Sequence, residues 1–389
     1  MTELQQLTNE LCPNGVKFVA LEECCKILDN KRKPVTKAAR QAGEYPYYGA
    51  NGIQDYVSDY IFDGIFVLVG EDGSVVTPSG NPVVNWATGK IWVNNHAHII
   101  EEKDGVLLRY LYHYLQTVNV SALIHGNIPK LTGGDFRAIK VPVPPLPVQS
   151  EIVRILDNFT ELTAELTAEL TARKQQYAHY RDTLLKLDNN VPSYTLKDIC
   201  LSIADGDHMP PPKADSGVPF ITISNITETR QIDFSNVMYV PREYYDKLAD
   251  KRKAKRDDIL YTVVGSFGIP VHISSKTEFV FQRHIAILRP NQQMIVPRYM
   301  YHIMQSTEFY KQADKAAKGA AQRTIGLSSL GNMTIPLPSI EEQKRIVAIL
   351  DRFDTLCNDI SAGLPAEIEA RQKQYEYYRD KLLTFEPAK

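Results

Sequence analysis

The sequence predicts a mixed α/β chain: two related globular domains separated by two long helices that pair as an antiparallel coiled coil, with pseudo-twofold symmetry. Three observations carry this. The chain repeats itself, each repeat ends in a long apolar-striped segment, and the stretches before those segments alternate short β-like runs with one helical run. Length agrees, since 389 residues make roughly two or three domains of about 150 residues.

The repeat is clearest at the ends of the two halves. Residues 142–187 open with PVPPLPVQSEIVRILDNF and close with ARKQQYAHYRDTLLKL, and residues 336–385 open with PLPSIEEQKRIVAILDRF and close with ARQKQYEYYRDKLLTF. Ile152, Leu156, Asp157 and Phe159 match Ile346, Leu350, Asp351 and Phe353 at an offset of 194 residues. Tyr177, Tyr180, Arg181 and Leu184 match Tyr375, Tyr378, Arg379 and Leu382 at an offset of 198, so the second segment holds four extra residues. Fainter matches lie upstream. RYLYHYLQT (109–117) resembles RYMYHIMQS (298–306), LEECC (21–25) resembles LKDIC (196–200), and Gly70 and Gly73 align with Gly265 and Gly268. The order is therefore a globular domain over 1–141, a central helix over 142–190, a second domain over 191–335 and a C-terminal helix over 336–389.

Prolines at 142, 144, 145 and 147, then at 336 and 338, end a strand-like run and launch each helix. Apolar residues then recur every three or four positions. The pairing seam is Ile152, Leu156, Phe159, Leu166, Leu170, Tyr177 and Leu184 against Ile346, Leu350, Phe353, Ile360, Ile368, Tyr375 and Leu382. A continuous helix over 148–187 is roughly 60 Å long at about 1.5 Å per residue, the length of a spacer. Its middle repeats TAEL at 163–166 and 167–170. Each such unit adds about 6 Å and acts as a ruler mark. The second helix has SAGLP at 361–365 instead, where Gly363 and Pro365 predict a break.

The domains read as alternating β runs (FVLVG, KIWVNN, HAHII; PFITIS, ILYTVV, FVFQRHIAIL) with one helix each, near 106–117 and 296–313. Net charge is −2, from 44 basic and 46 acidic residues, but residues 191–335 carry 18 basic against 14 acidic ones. Near-neutrality therefore excludes a polycation without excluding local phosphate-binding patches. Candidate phosphate- and base-contacting residues in the first domain are Lys31, Arg32, Lys33, Asn51 in the YPYYGANG loop, and Gly126, Asn127 and Lys130. In the second domain they are Lys251, Arg252, Lys253, Lys255 and Arg256, and Lys318, Gln322 and Arg323 in the flexible KGAAQRTIG stretch, where Gln and Arg have the reach to read base edges. A charge run is more often a plain solvated face.

Other chemistries are disfavoured. There is no Gly-x-x-x-x-Gly-Lys-Ser/Thr, no Gly-x-Gly-x-x-Gly and no Asn-Pro-Pro-Tyr-like tetrapeptide. His96 and His98 share one face of an expected strand and read as ordinary strand histidines, with no metal site. GEDG (70–73) carries two carboxylates that the second repeat replaces with GSFG, which weakens an acid–base role. Five cysteines without a Cys-x-x-Cys pair, a polar start and no long apolar run fit a reduced, cytoplasmic chain.

The combination of two domains, each ending in a Val/Ile-Pro-Val/Leu-Pro lead into a helix with ILDxF and YRDxLL, plus the TAEL tandem, resembles the specificity subunit of type I restriction–modification systems. GEYPYYGANGIQDYV, VLVGEDGSV and WVNNHAHII also look like target-recognition phrases of that family. The resemblance covers essentially the whole chain. It implies two target recognition domains on double-stranded DNA, each reading half of a bipartite asymmetric site, and helices that dock two methyltransferase subunits. It also implies two restriction/motor subunits, with S-adenosylmethionine, ATP and magnesium bound on the partners, no cofactor on this chain and no catalysis by it. The competing reading is a non-DNA scaffold, a helical hairpin displaying two ligand- or protein-binding modules. A nuclease or methyltransferase in its own right is third.

Overall fold

The computed structural model describes residues 3–73, 75–188, 190–206, 211–320, 322–359 and 361–388. The chain divides into two compact units, Met1–Ala164 with Ala370–Lys389, and Glu165–Glu369. Each unit is a globular domain together with the start of one long helix and the end of the other.

In the first unit a six-stranded sheet runs in the order Lys26–Ile27, Ala97–Glu101, Phe62–Gly70, Val84–Val93, Ala42–Gly49, Gly52–Val57. Phe62–Gly70 is central because Phe66 to Val69 are all buried, which suits a strand covered on both faces. Its neighbours pair antiparallel, whereas Ala42–Gly49 runs parallel to Val84–Val93 through Tyr47–Trp92 and Tyr48–Val93. Helix Leu108–Leu115 buries Leu108, Tyr110, Leu111 and Leu115 in the same core. Phe18–Ala20 pairs with Lys140–Pro142 and closes the domain. The chain ends meet here: Val16 N–H donates to the Glu386 carbonyl (2.8 Å) and Ala388 N–H to the Val16 carbonyl (2.9 Å). Gly15, at φ +91°, lies so close that a Cβ would stand 2.6 Å from the Pro387 carbonyl oxygen, so only glycine fits.

The second unit repeats the closing strands, Ser193–Thr195 against Thr334–Pro336, but divides its sheet. One sheet has the order Cys200–Asp205, Ile285–Pro290, Ile259–Thr262, Pro270–His272, and the other Met238–Val240, Val218–Ile221, Val280–Phe281. Two expectations need correcting. FVFQRHIAIL is not one strand, because it turns at 282–284 and contributes Val280–Phe281 and Ile285–Pro290 to different sheets. The expected helix over 296–313 is two, Pro297–Ile303 and Thr307–Ala316, since Ser306 is extended and caps the second by accepting from Phe309 N–H.

The central helix spans Leu146–Leu184, 39 residues without a break. The C-terminal segment is two helices, Ile340–Asn358 and Leu364–Leu382, interrupted where Gly363 and Pro365 predict it. Asp359 caps the interruption, accepting from Ser361 N–H (2.7 Å) and Ala362 N–H (3.2 Å). Gly363 is required by crowding, because a Cβ would come within 2.5 Å of the Thr355 carbonyl oxygen.

The pairing seam recurs in each unit with the two repeats exchanged. In the first unit Ile152 and Leu156 are buried, Phe159 stacks on Tyr378 (5.3 Å) and Tyr375 is buried. In the second, Ile346 and Leu350 are buried, Phe353 stacks on Tyr180 (5.4 Å) and Tyr177 is buried. So the start of one helix meets the end of the other in both, the antiparallel arrangement. Leu166, Leu170 and Ile368 are half-buried, as are Leu184 and Leu382, whose neighbours Leu185 and Leu383 enter the cores instead. Ile360 lies outside the described residues.

Candidate nucleic-acid interface

In both units the loop expected to touch DNA is built onto the glycine-flanked turn that follows the central strand. In the first, Gly73 N–H donates to the Pro129 carbonyl (2.9 Å) and Leu131 N–H to the Glu71 carbonyl (2.8 Å). This fixes the small hairpin of Ile124–His125 and Lys130–Leu131. Gly126, at φ +83°, turns the chain so that Asn127 and Ile128 stand at the tip, with Ile128 70 % exposed. In the second, Gly265 N–H donates to the Arg323 carbonyl (3.0 Å) and Ile325 N–H to the Val263 carbonyl (2.8 Å). Lys318 and Gln322 are exposed there.

A half-buried charge network holds the first hairpin in place. Arg32 donates to Glu71 (2.5 Å) and to the Ala97 carbonyl (2.6 Å), Lys130 pairs with Glu71 (3.2 Å), and Arg32 stands 3.7 Å from Asp29. His98 is buried between Asp29 (2.7 Å) and the Leu131 carbonyl (3.0 Å) and stacks on Phe136 (4.2 Å). Burial alone would raise the Asp29 pKa, but hydrogen bonds from His98 and Ile99 and the nearby charges bring it below the ordinary carboxylate value. Asp29, Glu71 and His98 lie within metal-ligand reach of one another. The Arg32 guanidinium already supplies the positive charge a cation would bring, so the cluster reads as a structural ion network. His96 stands in the turn before the strand and pairs with Asp72, so it does not share a strand face with His98 as expected.

The basic runs divide into two classes. Arg32, Lys130, Arg252, Lys253, Lys255 and Arg323 are engaged within their own unit: Arg252 with Asp205 (3.3 Å), Lys253 with the Asp246 carbonyl (2.9 Å), Lys255 with Asp250 (2.8 Å) and Arg323 with Asp314 (2.6 Å). Lys31, Lys33, Asn51, Gly126, Asn127, Lys251, Arg256, Lys318 and Gln322 are exposed. Sequence reasoning passed over Lys90, whose ammonium lies 4.6 Å from the exposed Tyr60 ring and 5.9 Å from Tyr45.

It also passed over a constellation present twice. In the first unit Asp157 accepts from Arg109 Nε (2.7 Å) and His113 Nε2 (2.8 Å), and His113 Nδ1 meets the Tyr375 hydroxyl (2.9 Å). In the second, Asp351 accepts from Arg298 (2.6 Å) and His302 Nε2 (2.6 Å), and His302 Nδ1 meets the Tyr177 hydroxyl (2.9 Å). Arg and His come from the domain helix, Asp from the start of one long helix and Tyr from the end of the other. The signal was in the repeat, since all four residue types coincide when the halves are aligned. Burial lowers both histidine pKa values and outweighs the aspartate hydrogen bonds. The network then assigns a neutral ring that donates from Nε2 and accepts the tyrosine proton at Nδ1. Burial also pushes the Tyr375 hydroxyl up to about 12.

A pH dependence follows. The ordinary histidine value is 6.5 and the folded values lie below it, so the unfolded chain takes up protons first as pH falls. The stabilisation is complete above 6.5 and is lost as pH drops through the folded values. Urea midpoints should therefore decline between about pH 7 and pH 5, a range in which ordinary carboxylates stay ionised. Flat midpoints over that range would contradict buried neutral rings.

Comparison with known proteins agrees with this architecture. The family model for the type I restriction modification DNA specificity domain matches twice, over residues 13–173 and 189–370. A putative type I restriction enzyme specificity subunit of Haemophilus influenzae is 38% identical over 386 residues, covering 95% of this chain and 96% of the relative. The EcoR124I/EcoR124II specificity subunit of Escherichia coli is 37% identical over 303 residues, 73% of this chain and 72% of the relative. The crystal structure of a type I S subunit from M. genitalium superposes with a TM-score of 0.58 at 15% identity, covering 95% of this chain and 96% of that one, and shows the same fold. With both repeats matched and one relative aligned along nearly its whole length, the chain belongs to the specificity subunits of type I restriction–modification systems.

Proposed function

We propose that the chain reads a bipartite, asymmetric DNA site, one half with each domain, and docks two methyltransferase and two restriction/motor subunits without catalysing a reaction itself. The observation that carries this is the doubled hairpin. Both units build a surface loop on the same glycine-flanked turn, yet one presents Asn127 and Ile128 and the other Lys318 and Gln322. A shared frame with different side chains suits two readers of different sequences. The exposed cations Lys31, Lys33, Lys251, Arg256 and Lys318 supply phosphate contacts. S-adenosylmethionine, ATP and magnesium then belong to the partner subunits. Among the described residues no helix is long and apolar enough to cross a membrane.

The central helix sets the gap between half-sites. Removing residues 167–170 shortens it by about 6 Å and should shift the half-sites by a fixed number of base pairs with both half-sequences kept. Methylome sequencing of a strain carrying the deletion reads the result directly, and an unaltered gap would sink the ruler. The first test is a salt-dependent mobility shift of duplex DNA by the chain assembled with its methyltransferase. Absence of binding to any duplex at low salt would favour a scaffold that displays two other modules.

A further inference from the structure

A cleft of about 430 Å³ opens in the second unit between the 229–234 loop, the 271–277 segment and the end of helix Ile340–Asn358. That volume lies within the range of about 300–1,000 Å³ typical of small-molecule sites. Two non-glycine residues among the described ones have a left-handed backbone, Arg230 (φ 59°) and Asp257 (φ 71°), and both serve this cleft. Arg230 lines it. The backbone is held by Arg230 N–H donating to the Thr227 carbonyl (3.0 Å) and Thr227 N–H to the Gln231 carbonyl (2.9 Å). Asp257 holds His272, another lining residue, at 3.2 Å from Nε2. Left-handed arginine and aspartate are strained, and such strain collects where a ligand or a reaction needs a side chain aimed.

Among the described residues that line the cleft, one arginine lacks an ion-pair partner. Arg298 is answered by Asp351 (2.6 Å) and Asp354 (2.7 Å). The half-buried Arg230 guanidinium makes no hydrogen bond or ion pair among the described residues. Burial raises the pKa values of the Tyr177 and Tyr301 hydroxyls, and the Arg230 charge opposes that rise. Beside it Phe234 is 37 % exposed and backed edge-on by Phe279 (6.2 Å), a platform for a flat ring. At the matching junction of the first unit the Trp86 indole covers Arg109 (4.7 Å) and packs against Tyr112 (5.7 Å). In the second unit the smaller His272 stands against the matching Tyr301 (6.3 Å).

We propose that this cleft binds a nucleotide-sized phosphate ester, with the phosphate on Arg230 and the ring against Phe234. Asp354 and Asp359 both stand on the wall and disfavour a polyphosphate, so the ester carries one phosphate. As a site for a free nucleotide it goes beyond half-site reading, and as a contact to the DNA backbone it rests on that reading. Its phosphate could come from a free mononucleotide or from the backbone of bound DNA, and the test separates the two.

Isothermal titration of the full chain with adenosine 5′-monophosphate should show saturable binding, with adenosine and inorganic phosphate each at least tenfold weaker. Arg230→Gly suits the left-handed backbone and should melt no lower than the parent chain, yet lose nucleotide affinity tenfold or more. Phe234→Ala should weaken the nucleotide without changing phosphate binding. Displacement by added duplex assigns the phosphate to DNA, and retention in the presence of duplex assigns it to a free nucleotide. No nucleotide heat, but weaker duplex binding in Arg230→Gly, also assigns it to DNA. Nucleotide affinity unchanged in Arg230→Gly would overturn the proposal. So would no nucleotide binding at millimolar concentration together with unchanged duplex affinity in that variant.

Discussion

Asp157→Ala is expected to cost the first unit about 2–4 kcal/mol, because it leaves a fully buried His113 donor and the Arg109 guanidinium without their carboxylate. The estimate sits below the usual cost of breaking a buried pair because Asp157 is 27 % exposed and water reaches one side of it. Asp157→Asn keeps an acceptor oxygen and should lose clearly less. Truncating an exposed pair on the same helix, Glu169 with Arg173 (3.3 Å), should cost under about 0.5 kcal/mol. Urea unfolding of the three variants gives the comparison, and a loss below about 1 kcal/mol for Asp157→Ala would show that the repeated constellation is incidental. A double-mutant cycle with Tyr375→Phe should return a coupling of about 0.5–1.5 kcal/mol, since both residues hold one imidazole.

Replacing residues 191–335 with the matching domain of another specificity subunit should rewrite one half of the methylated sequence entirely and leave the other half untouched. The structure supports the cut points, because the second domain is closed off by its own strand pair, Ser193–Thr195 with Thr334–Pro336. Arg298 and His302 would have to be kept, since they meet Asp351 and Tyr177 on the retained helices. Methylation motifs read from a strain carrying the exchange settle the matter, and a change in both halves would overturn one-domain-one-half reading.

Much of this was legible in the sequence because the repeat is strongest where packing is most demanding. ILDNF and ILDRF bury the same face of a helix, and the break at Gly363–Pro365 follows from residues that cannot continue one. Local signals misled where a run had no visible interruption. FVFQRHIAIL alternates like one strand, and the turn inside it depends on which sheet each end joins. Helix 296–313 hid an N-cap at Ser306 behind good apolar spacing. The basic runs were the least legible part. Whether Arg32 or Arg252 is available to phosphate is decided by Glu71 and Asp205, 39 and 47 residues away, and no local pattern carries that information.

The exchange of helix ends also constrains how the chain is made. The first unit includes Ala370–Lys389, and its core includes Tyr375 and Leu383. A ribosome adding roughly 5–20 residues per second has therefore completed the second unit's sequence before the first unit's last core side chains emerge. The amino-terminal domain waits, with the apolar face that receives Tyr375 and Leu383 open to solvent, for tens of seconds. A frameshift near residue 370 would thus strike hardest at the part of the protein synthesised first.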